Sequence, residues 1–292
     1  MRGTSLLRVI IALIILAALG SFAWSWLRQA PEAESPAAPS APSRVVVGHS
    51  VEGRPITAYI YGTGTTTIMF AGGMHGGYEW NAVLLAFEAR DYFAQHPEAI
   101  PAGERVVVIP DLNPDGTFLE LGTTTEFTEA DVPAGNLSAG RFNAHHVDLN
   151  RNYACNWAAT STWQDKPESA GTAAFSEPEA QAVRAAVDEF APAAVIFWHS
   201  ASGYVYAADC NGTMAPHELD IMKAYAHAAG YGTQATFDAY PITGDSEGWL
   251  ASLDIPALTV ELTTHDSVEW SKNLAGIQAL LSYFASSTST AR

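Results

Sequence analysis

The chain has 292 residues, of which 48% are apolar, and this size suits an α/β enzyme built on one sizeable core. Its 14 Lys and Arg residues against 31 Asp and Glu residues give a formal net charge of −17 at pH 7. That balance argues against a nucleic-acid partner, because nucleic-acid binders need a basic surface.

Residues 1–28 are predicted to form a membrane anchor or a signal segment. Arg2 and Arg8 precede an uncharged, mostly apolar run at residues 9–27, and about 20 such residues can span a bilayer. We therefore expect a membrane-anchored protein whose C-terminal part is extracytoplasmic. Cleavage near Ala23 is the alternative, and it would release a secreted protein.

Residues 29–43 are rich in Pro, Ala and Ser, a composition typical of an extended linker. A single catalytic domain is predicted over residues 44–292. Strands and helices alternate in it, which indicates an α/β layered sheet. The predicted strands lie at 44–47, 56–61, 67–70, 105–109, 193–198 and 257–262. The predicted helices lie at 80–96, 176–190, 216–229 and 270–285.

Three stretches of the domain have no predicted strand or helix. Residues 110–116 have turn chemistry, residues 117–138 are predicted as a long surface loop, and residues 157–176 are polar and irregular. Ser176 is predicted to cap the helix that follows, and a place in the first turn of that helix accounts for Glu177 and Glu179. We therefore assign no catalytic role to these two carboxylates.

The first motif that carries chemistry is Ala71-Gly-Gly-Met-His-Gly-Gly-Tyr-Glu-Trp-Asn81. It presents His75 and Glu79 on a glycine-rich turn between a predicted strand and a predicted helix. A histidine and a carboxylate are ligands that zinc accepts, and a catalytic zinc needs one more protein ligand and an open position. Alone, the pair is weak evidence, so its weight depends on partners further along the chain.

Those partners are three later blocks. One is Gly140-Arg-Phe-Asn-Ala-His-His-Val-Asp-Leu-Asn-Arg-Asn152, and the others are His199 and Glu261, which each follow an apolar run. The four blocks, in this order, resemble the M14 family of zinc carboxypeptidases over residues 46–284. The resemblance implies a mixed eight-stranded sheet flanked by helices, with the reactive groups at the carboxyl ends of strands.

The resemblance also implies one zinc ion held by His75, Glu79 and His199. The family usually separates its first histidine and glutamate by two residues, whereas three residues separate His75 from Glu79. Tyr78 occupies the usual carboxylate position and is a poor zinc ligand. Either the extra glycine bulges and delivers Glu79, or the zinc site is incomplete.

Roles for the other motif residues follow from the same resemblance. Glu261 matches the general base and acid, and burial after an apolar strand would raise its pKa. Arg141 matches the group that polarises the scissile carbonyl and stabilises the developing oxyanion. Asn150 and Arg151 match the pair that binds the terminal carboxylate of the substrate.

Three more residues have expected roles near the substrate. Tyr240 matches a mobile tyrosine that closes over the bound peptide. Glu247 falls near a position that selects the substrate side chain, where a carboxylate would favour a basic or amino-bearing group; a solvated loop charge is the alternative. Asp148 is expected to support its loop or a zinc-binding histidine.

Cys155 and Cys210 are the two cysteines of the chain. Downstream of an export signal they favour a disulfide, with two free thiols as the alternative.

The predicted function is a zinc-dependent metallocarboxypeptidase that hydrolyses C-terminal peptide bonds with zinc-activated water and a glutamate base. Its partner would be a peptide with a free C-terminal carboxylate, and we expect a monomer. Two alternatives stay open: a cell-wall peptide hydrolase of the same family, acting on peptides that contain diaminopimelate, and a zinc-less protein that binds peptides or carboxylates.

Overall fold

A computed structural model describes residues 43–290 of the chain, apart from residues 126 and 165. The predicted anchor at residues 1–28 and the linker up to residue 42 lie outside the described residues, so their assignment stays a prediction. Within the described ranges, no helix is both long enough and apolar enough to cross a membrane.

Eight strands form one mixed sheet, as the resemblance implied, and two more strands form a separate antiparallel hairpin. The strands of the large sheet are β1 (Ser43–His49), β2 (Pro55–Tyr61), β3 (Thr66–Ala71), β4 (Glu104–Ile109), β7 (Ala194–Ser200), β8 (Tyr204–Tyr206), β9 (Gly232–Gln234) and β10 (Ala257–Leu262). Their order across the sheet is β1-β2-β4-β3-β7-β10-β8-β9. The hairpin consists of β5 (Thr160–Trp163) and β6 (Lys166–Ser169).

Helices pack on both faces of the large sheet. They are α1 (Trp80–Gln95), α2 (Pro114–Leu121), α3 (Pro178–Phe190), α4 (Glu218–Ala229), α5 (Ser246–Ala251) and α6 (Trp270–Thr290). One core contains side chains of α1, α4 and α6, and the other contains side chains of α3 and α5. Alternate residues of β3 belong to the two cores. Ile68 and Phe70 pack in the first core, and Met69 and Ala71 pack in the second. This is the two-residue period of a strand buried on both faces.

The four central strands, β4, β3, β7 and β10, run parallel to one another. Their carboxyl ends therefore meet at one edge of the sheet, where open α/β sheets place their ligands. The turn that carries His75 follows β3, His199 lies near the end of β7, and Glu261 lies near the end of β10. The topology thus brings three separate motifs to one place.

The prediction of turn and loop over residues 110–138 is wrong in its first part, because α2 occupies Pro114–Leu121. The side chain of Asn113 caps this helix by accepting a hydrogen bond from the amide of Gly116, and Pro114 suits the first helical turn. Eight residues are too few for a clear helical period, so the start signal resembled an ordinary turn.

The prediction of irregular structure over residues 157–176 also missed the β5–β6 hairpin. The proposed cap on α3 is wrong as well: Glu177 is the N-cap residue, and it makes no side-chain cap. The Ser176 hydroxyl instead donates to the Glu177 carboxylate. The same hydroxyl oxygen accepts from the side-chain amide of Asn152 and from the backbone amide of Thr172, so its acceptor sites are used outside the helix.

Cys155 and Cys210 are joined by a disulfide, with 5.9 Å between their Cα atoms. The bond connects the loop after the Leu149–Arg151 turn to the loop after β8. Neighbouring residues of both loops, Asn156 and Asp209, line the cleft described below.

Candidate metal centre and active site

The turn after β3 is shaped by glycine. Gly76 has a φ of +45°, and a Cβ atom there would lie 2.7 Å from the carbonyl oxygen of Gly140. A side chain at this position would therefore force two loops apart. The chain passes from Gly76 through one turn of 3₁₀ helix to Glu79 and enters α1 at Trp80. The three residues between His75 and Glu79 all lie in this turn.

As a result, Glu79 points at the histidines. Its Oε1 lies 2.7 Å from Nδ1 of His75, and its Oε2 lies 2.9 Å from Nδ1 of His199. The two Nδ1 atoms are 3.2 Å apart. All three residues are at most 5% exposed. The ring of Tyr78 lies elsewhere, beside those of Trp163 and His265.

The three residues fit a zinc ion. Two imidazole nitrogens and a carboxylate form a usual zinc donor set, and tetrahedral coordination with bonds of about 2.0–2.1 Å separates ligand atoms by roughly 3.3 Å. The spacing of 3.2 Å between the two Nδ1 atoms is close to that value, whereas the carboxylate oxygens of Glu79 lie nearer to those atoms, at 2.7 and 2.9 Å. A bound cation would also explain why two ring nitrogens face one another in a buried site, where each needs a polar partner. The sequence-predicted ligands are therefore brought together.

Asp148 supports this cluster from behind. Its Oδ1 lies 3.3 Å from Nε2 of His75, which leaves Nδ1 to face the cluster. Burial alone would raise the pKa of Asp148, but Arg141 and Arg151 hold it well below its ordinary value. Asp148 also accepts a hydrogen bond from the amide of Asn150, so it contacts its own loop as well as His75.

Glu261 lies beside the cluster. It is paired with His199 in the parallel register of β10 and β7, and its Oε2 is buried with no hydrogen-bond partner in the described part of the chain. Burial, and then the nearby Glu79, raise the pKa of Glu261 to about 7. A carboxylate with an unused oxygen and a pKa near neutrality can accept and release a proton.

Arg141 is 3% exposed and lines the same cleft. Its Nη2 donates to Oδ2 of Asp148 at 2.6 Å, and its Nη1 lies 4.0 Å from Oε1 of Glu79. The indole of Trp163 packs over the guanidinium, 4.6 Å from its Cζ atom. A cation fixed on several sides beside the cluster can stabilise negative charge that develops there.

Asn150 and Arg151 lie in the next turn of the chain. Oδ1 of Asn150 accepts from the backbone amide of Ser246 at 2.9 Å and lies 3.0 Å from the Ser246 hydroxyl, so the side-chain amide nitrogen of Asn150 is the group that remains for a ligand. Nη1 of Arg151 donates to the carbonyl of Asn150 at 2.7 Å. Both side chains line the cleft, so the structure brings the predicted carboxylate pair to it.

Tyr240 and Glu247 line this cleft too, which has a volume of about 790 Å³. Tyr240 is half-buried, with its ring against that of Phe237. Glu247 is buried rather than solvated, and it accepts hydrogen bonds from Thr259 at 2.7 Å and Ser246 at 2.9 Å. Asp245 adds a second acidic group, and burial followed by repulsion from Glu247 raises its pKa to about 6.

Sequence reasoning missed several residues of the cleft. Trp163 lies on the unpredicted hairpin, and His265 lies in the loop after β10. Asp245 caps α5 by accepting from the amide of Gly248 at 2.7 Å. The signal for Asp245 was present, since an Asp before a Ser-Glu-Gly-Trp run is a helix start. No local pattern marks Trp163 or His265.

The comparisons with known proteins agree with this architecture. The zinc carboxypeptidase family, Peptidase M14, matches residues 32–284 of the chain. Among solved structures, the murein-tripeptide amidase MpaA of Escherichia coli O157 is 24% identical, with a TM-score of 0.60 over 86% of this chain and 95% of that one. Carboxypeptidase A of Helicoverpa armigera is 19% identical, with a TM-score of 0.63 over 85% of this chain and 68% of that one. Bovine thrombin-activatable fibrinolysis inhibitor is 17% identical, with a TM-score of 0.66 over 93% of this chain and 97% of that one.

The chain belongs to the zinc carboxypeptidase family, and the eight-stranded sheet is the fold that these structures share with it. Membership supports an enzyme of the metallocarboxypeptidase class whose cofactor is zinc.

Proposed function

We propose that this protein removes the C-terminal residue of a peptide, with zinc held by His75, Glu79 and His199. The observation that carries the proposal is the meeting of this cluster, an unpartnered Glu261 oxygen and the buried Arg141 in one cleft. When bound, zinc would supply a Lewis acid that activates water and polarises the scissile carbonyl.

Two residues of the chain would support the reaction: Glu261 would transfer protons, and Arg141 would stabilise negative charge. Glu261 would take a proton from the attacking water and pass it to the leaving amine, so that one carboxylate serves as base and then as acid. Arg141 would stabilise the negative charge that develops on the carbonyl oxygen. Its fixed position means that no reorganisation is needed when that charge appears.

Asn150 and Arg151 would bind the terminal carboxylate and so select the end of a chain. A planar guanidinium and an amide nitrogen can donate together to a carboxylate. Tyr240, which lines the cleft, would close over the bound peptide. This arrangement supports exopeptidase action, because only the C-terminus of a peptide offers a backbone carboxylate next to the scissile bond for Arg151 to pair.

The side-chain pocket would favour a terminal residue that carries an amino group. Glu247 and Asp245 both line the cleft, and each contributes a carboxyl group to it. Lysine or diaminopimelate would bring the complementary positive charge. This acidity favours a second candidate function, hydrolysis of a cell-wall peptide that ends in diaminopimelate, and the similarity to the E. coli murein-tripeptide amidase supports it.

A cleavage profile of the purified protein tests both candidates. A library of peptides with each amino acid at the C-terminus should lose one residue from that end, fastest for Lys, and a peptide ending in diaminopimelate measures the second candidate. Cleavage within peptides would favour an endopeptidase, and peptide binding without cleavage or zinc would favour a binding protein.

We also propose that the domain works outside the cytoplasm. The Cys155–Cys210 disulfide supports an oxidising compartment, where such bonds persist. Attachment to a membrane remains a prediction from the apolar run at residues 9–27. Fractionation of cells that express the full chain tests it.

A further inference from the structure

Behind Arg141, two buried polar atoms face each other without a partner. Nε of Arg141 and Oε2 of Glu168 lie 3.7 Å apart. Neither makes a hydrogen bond to any described residue. The two residues are only 3% and 8% exposed. Buried groups of this kind are usually satisfied, so an unpaired donor opposite an unpaired acceptor suggests a functional contact.

Glu168 occupies the side of the guanidinium that other groups leave open. Asp148 accepts from Nη2, Glu79 lies near Nη1, and Trp163 covers a face of the group. Glu168 faces Nε, the remaining nitrogen. Contacts on all these sides would restrict the guanidinium to one orientation.

Glu168 is itself held in place by the strand pairing of the hairpin. Its neighbour Ser169 forms a bridge with Val147 and accepts a hydrogen bond from the amide of Asp148 at 3.0 Å. The segments that deliver Asp148 and Glu168 are therefore joined by their backbones. The hairpin connects both carboxyl groups, and Trp163, to Arg141.

We propose that Glu168 is a positioning residue for Arg141, holding the guanidinium through Nε in the orientation that meets the substrate carbonyl. This inference rests on the proposed role of Arg141. Glu168 does not line the cleft, so it would act through Arg141 and not on the substrate.

The charge balance around Glu168 fits such a role. Glu168 faces Asp148, Arg141 and Arg151, and burial, followed by a hydrogen bond and repulsion from Asp148, raises its pKa to about 8. A protonated Glu168 can donate to Asp148 and still present Oε2 to Nε of Arg141. A neutral acid holds the guanidinium without cancelling its charge, whereas a second full carboxylate would weaken Arg141 as an electrophile.

The test compares Glu168→Ala and Glu168→Gln in the full chain loaded with zinc. Loss of the contact should lower kcat by roughly 10- to 100-fold, the scale of a small misplacement of a catalytic group. KM, zinc content and unfolding temperature should change little. Gln can donate to Asp148 and accept from Arg141, so Glu168→Gln should restore most of kcat. Glu104 offers a matched control, because its buried carboxylate makes no hydrogen bond to a described residue and lies at the opposite end of the parallel strands. Glu104→Ala should leave kcat unchanged.

A double-mutant cycle with Arg141→Ala shows whether Glu168 affects kcat through Arg141. If Glu168 acts through Arg141, the double variant should be no slower than Arg141→Ala alone. Wild-type kcat in Glu168→Ala, additive losses, or a loss that follows falling zinc content would each overturn the proposal.

A second readout does not depend on catalysis. The Nε–H resonance of Arg141 in NMR spectra, assigned by its absence in Arg141→Lys, should shift in Glu168→Ala and not in Glu168→Gln. An unshifted resonance in Glu168→Ala would refute the positioning contact even if the wild-type protein cleaves no peptide. Failure of the proposed function is thereby distinguished from failure of this inference.

Discussion

Glu261 and His199 lie side by side in register on the parallel strands β10 and β7. One strand thus delivers a proposed metal ligand and the next delivers the proposed base, at the same level of the sheet. Because both strands are buried in the core, neither side chain depends on a mobile loop for its position. This relationship explains how motifs 62 positions apart in the chain form one catalytic site.

The metal ligands can be tested at Tyr78 and Glu79. Loss of a group that only hydrogen-bonds to a metal ligand lowers metal affinity by ~10–100-fold. Glu79→Ala removes a ligand itself, so it should lower zinc affinity by at least that much. Tyr78→Phe should keep about one zinc per chain. Elemental analysis after dialysis against a weak chelator measures both. Zinc retained in Glu79→Ala but lost from Tyr78→Phe would show that Tyr78, and not Glu79, is the third zinc ligand.

Glu261→Gln should keep its zinc and lose at least ~10²-fold in kcat, the usual scale for a general acid–base group. The substitution preserves shape and removes the site that accepts the proton. Steady-state kinetics on one good peptide, with zinc content measured on the same sample, checks this. Near-normal turnover would refute the assignment.

The wild-type enzyme should also lose kcat/KM as the pH falls. The base must be ionised, and burial and Glu79 raise the pKa of Glu261 to about 7. The positive charge of bound zinc would draw the midpoint of the acidic limb below that value and above the ordinary pKa of about 4.3. A pH–rate profile measures the limb, and constant kcat/KM between pH 4 and pH 8 would contradict the role of Glu261.

Substrate preference tests Glu247. Glu247→Ala should remove most of the preference for Lys over Leu at the C-terminus, a change of about tenfold or more, since a hydrogen bond to a charged group contributes about 1.5–3 kcal/mol. Glu247→Gln is the matched control, because it keeps the size of the side chain and the ability to accept from Thr259. An unchanged preference in both variants would show that Glu247 does not contact the substrate side chain.

The disulfide makes a prediction about stability. It closes a loop of 55 residues, and its removal by Cys155→Ser together with Cys210→Ser should lower the free energy of unfolding by about 2–4 kcal/mol. Denaturant unfolding of the wild type with and without reductant, compared with the double variant, measures the effect. Equal stability of all three would show that the bond contributes nothing to the folded state.

Much of the fold was accessible from sequence because its strands are apolar runs and its long helices show a clear period. The predicted strand at residues 257–262 has the observed bounds, and the helix predicted at 80–96 ends one residue earlier, at Gln95. The short elements were not accessible: α2 begins with ordinary turn residues, and β8 and β9 have only three residues each. Their structure depends on neighbours that a local pattern does not contain.

The residues of the site also divide into those that a local motif reveals and those that only packing places. His75, His199, Arg141 and Glu261 could be found by their motifs. Glu168 could not, because its place depends on a hairpin of polar residues whose pairing with the segment around Val147 is not encoded locally. The geometry that lets Glu79, and not Tyr78, face the histidines also depended on the packing of Gly76 against Gly140.

The central claim is that the cleft recognises the free end of a peptide, and matched peptides with a free or an amidated C-terminus test it most directly. Amidation removes the charge that Arg151 and Asn150 would pair, and an unmade charged hydrogen bond costs about 1.5–3 kcal/mol, or roughly a ten- to hundredfold loss of kcat/KM. The account predicts that loss, with cleavage of a single terminal residue from the free peptide. Equal cleavage of the two peptides, or cuts well inside the chain, would contradict it.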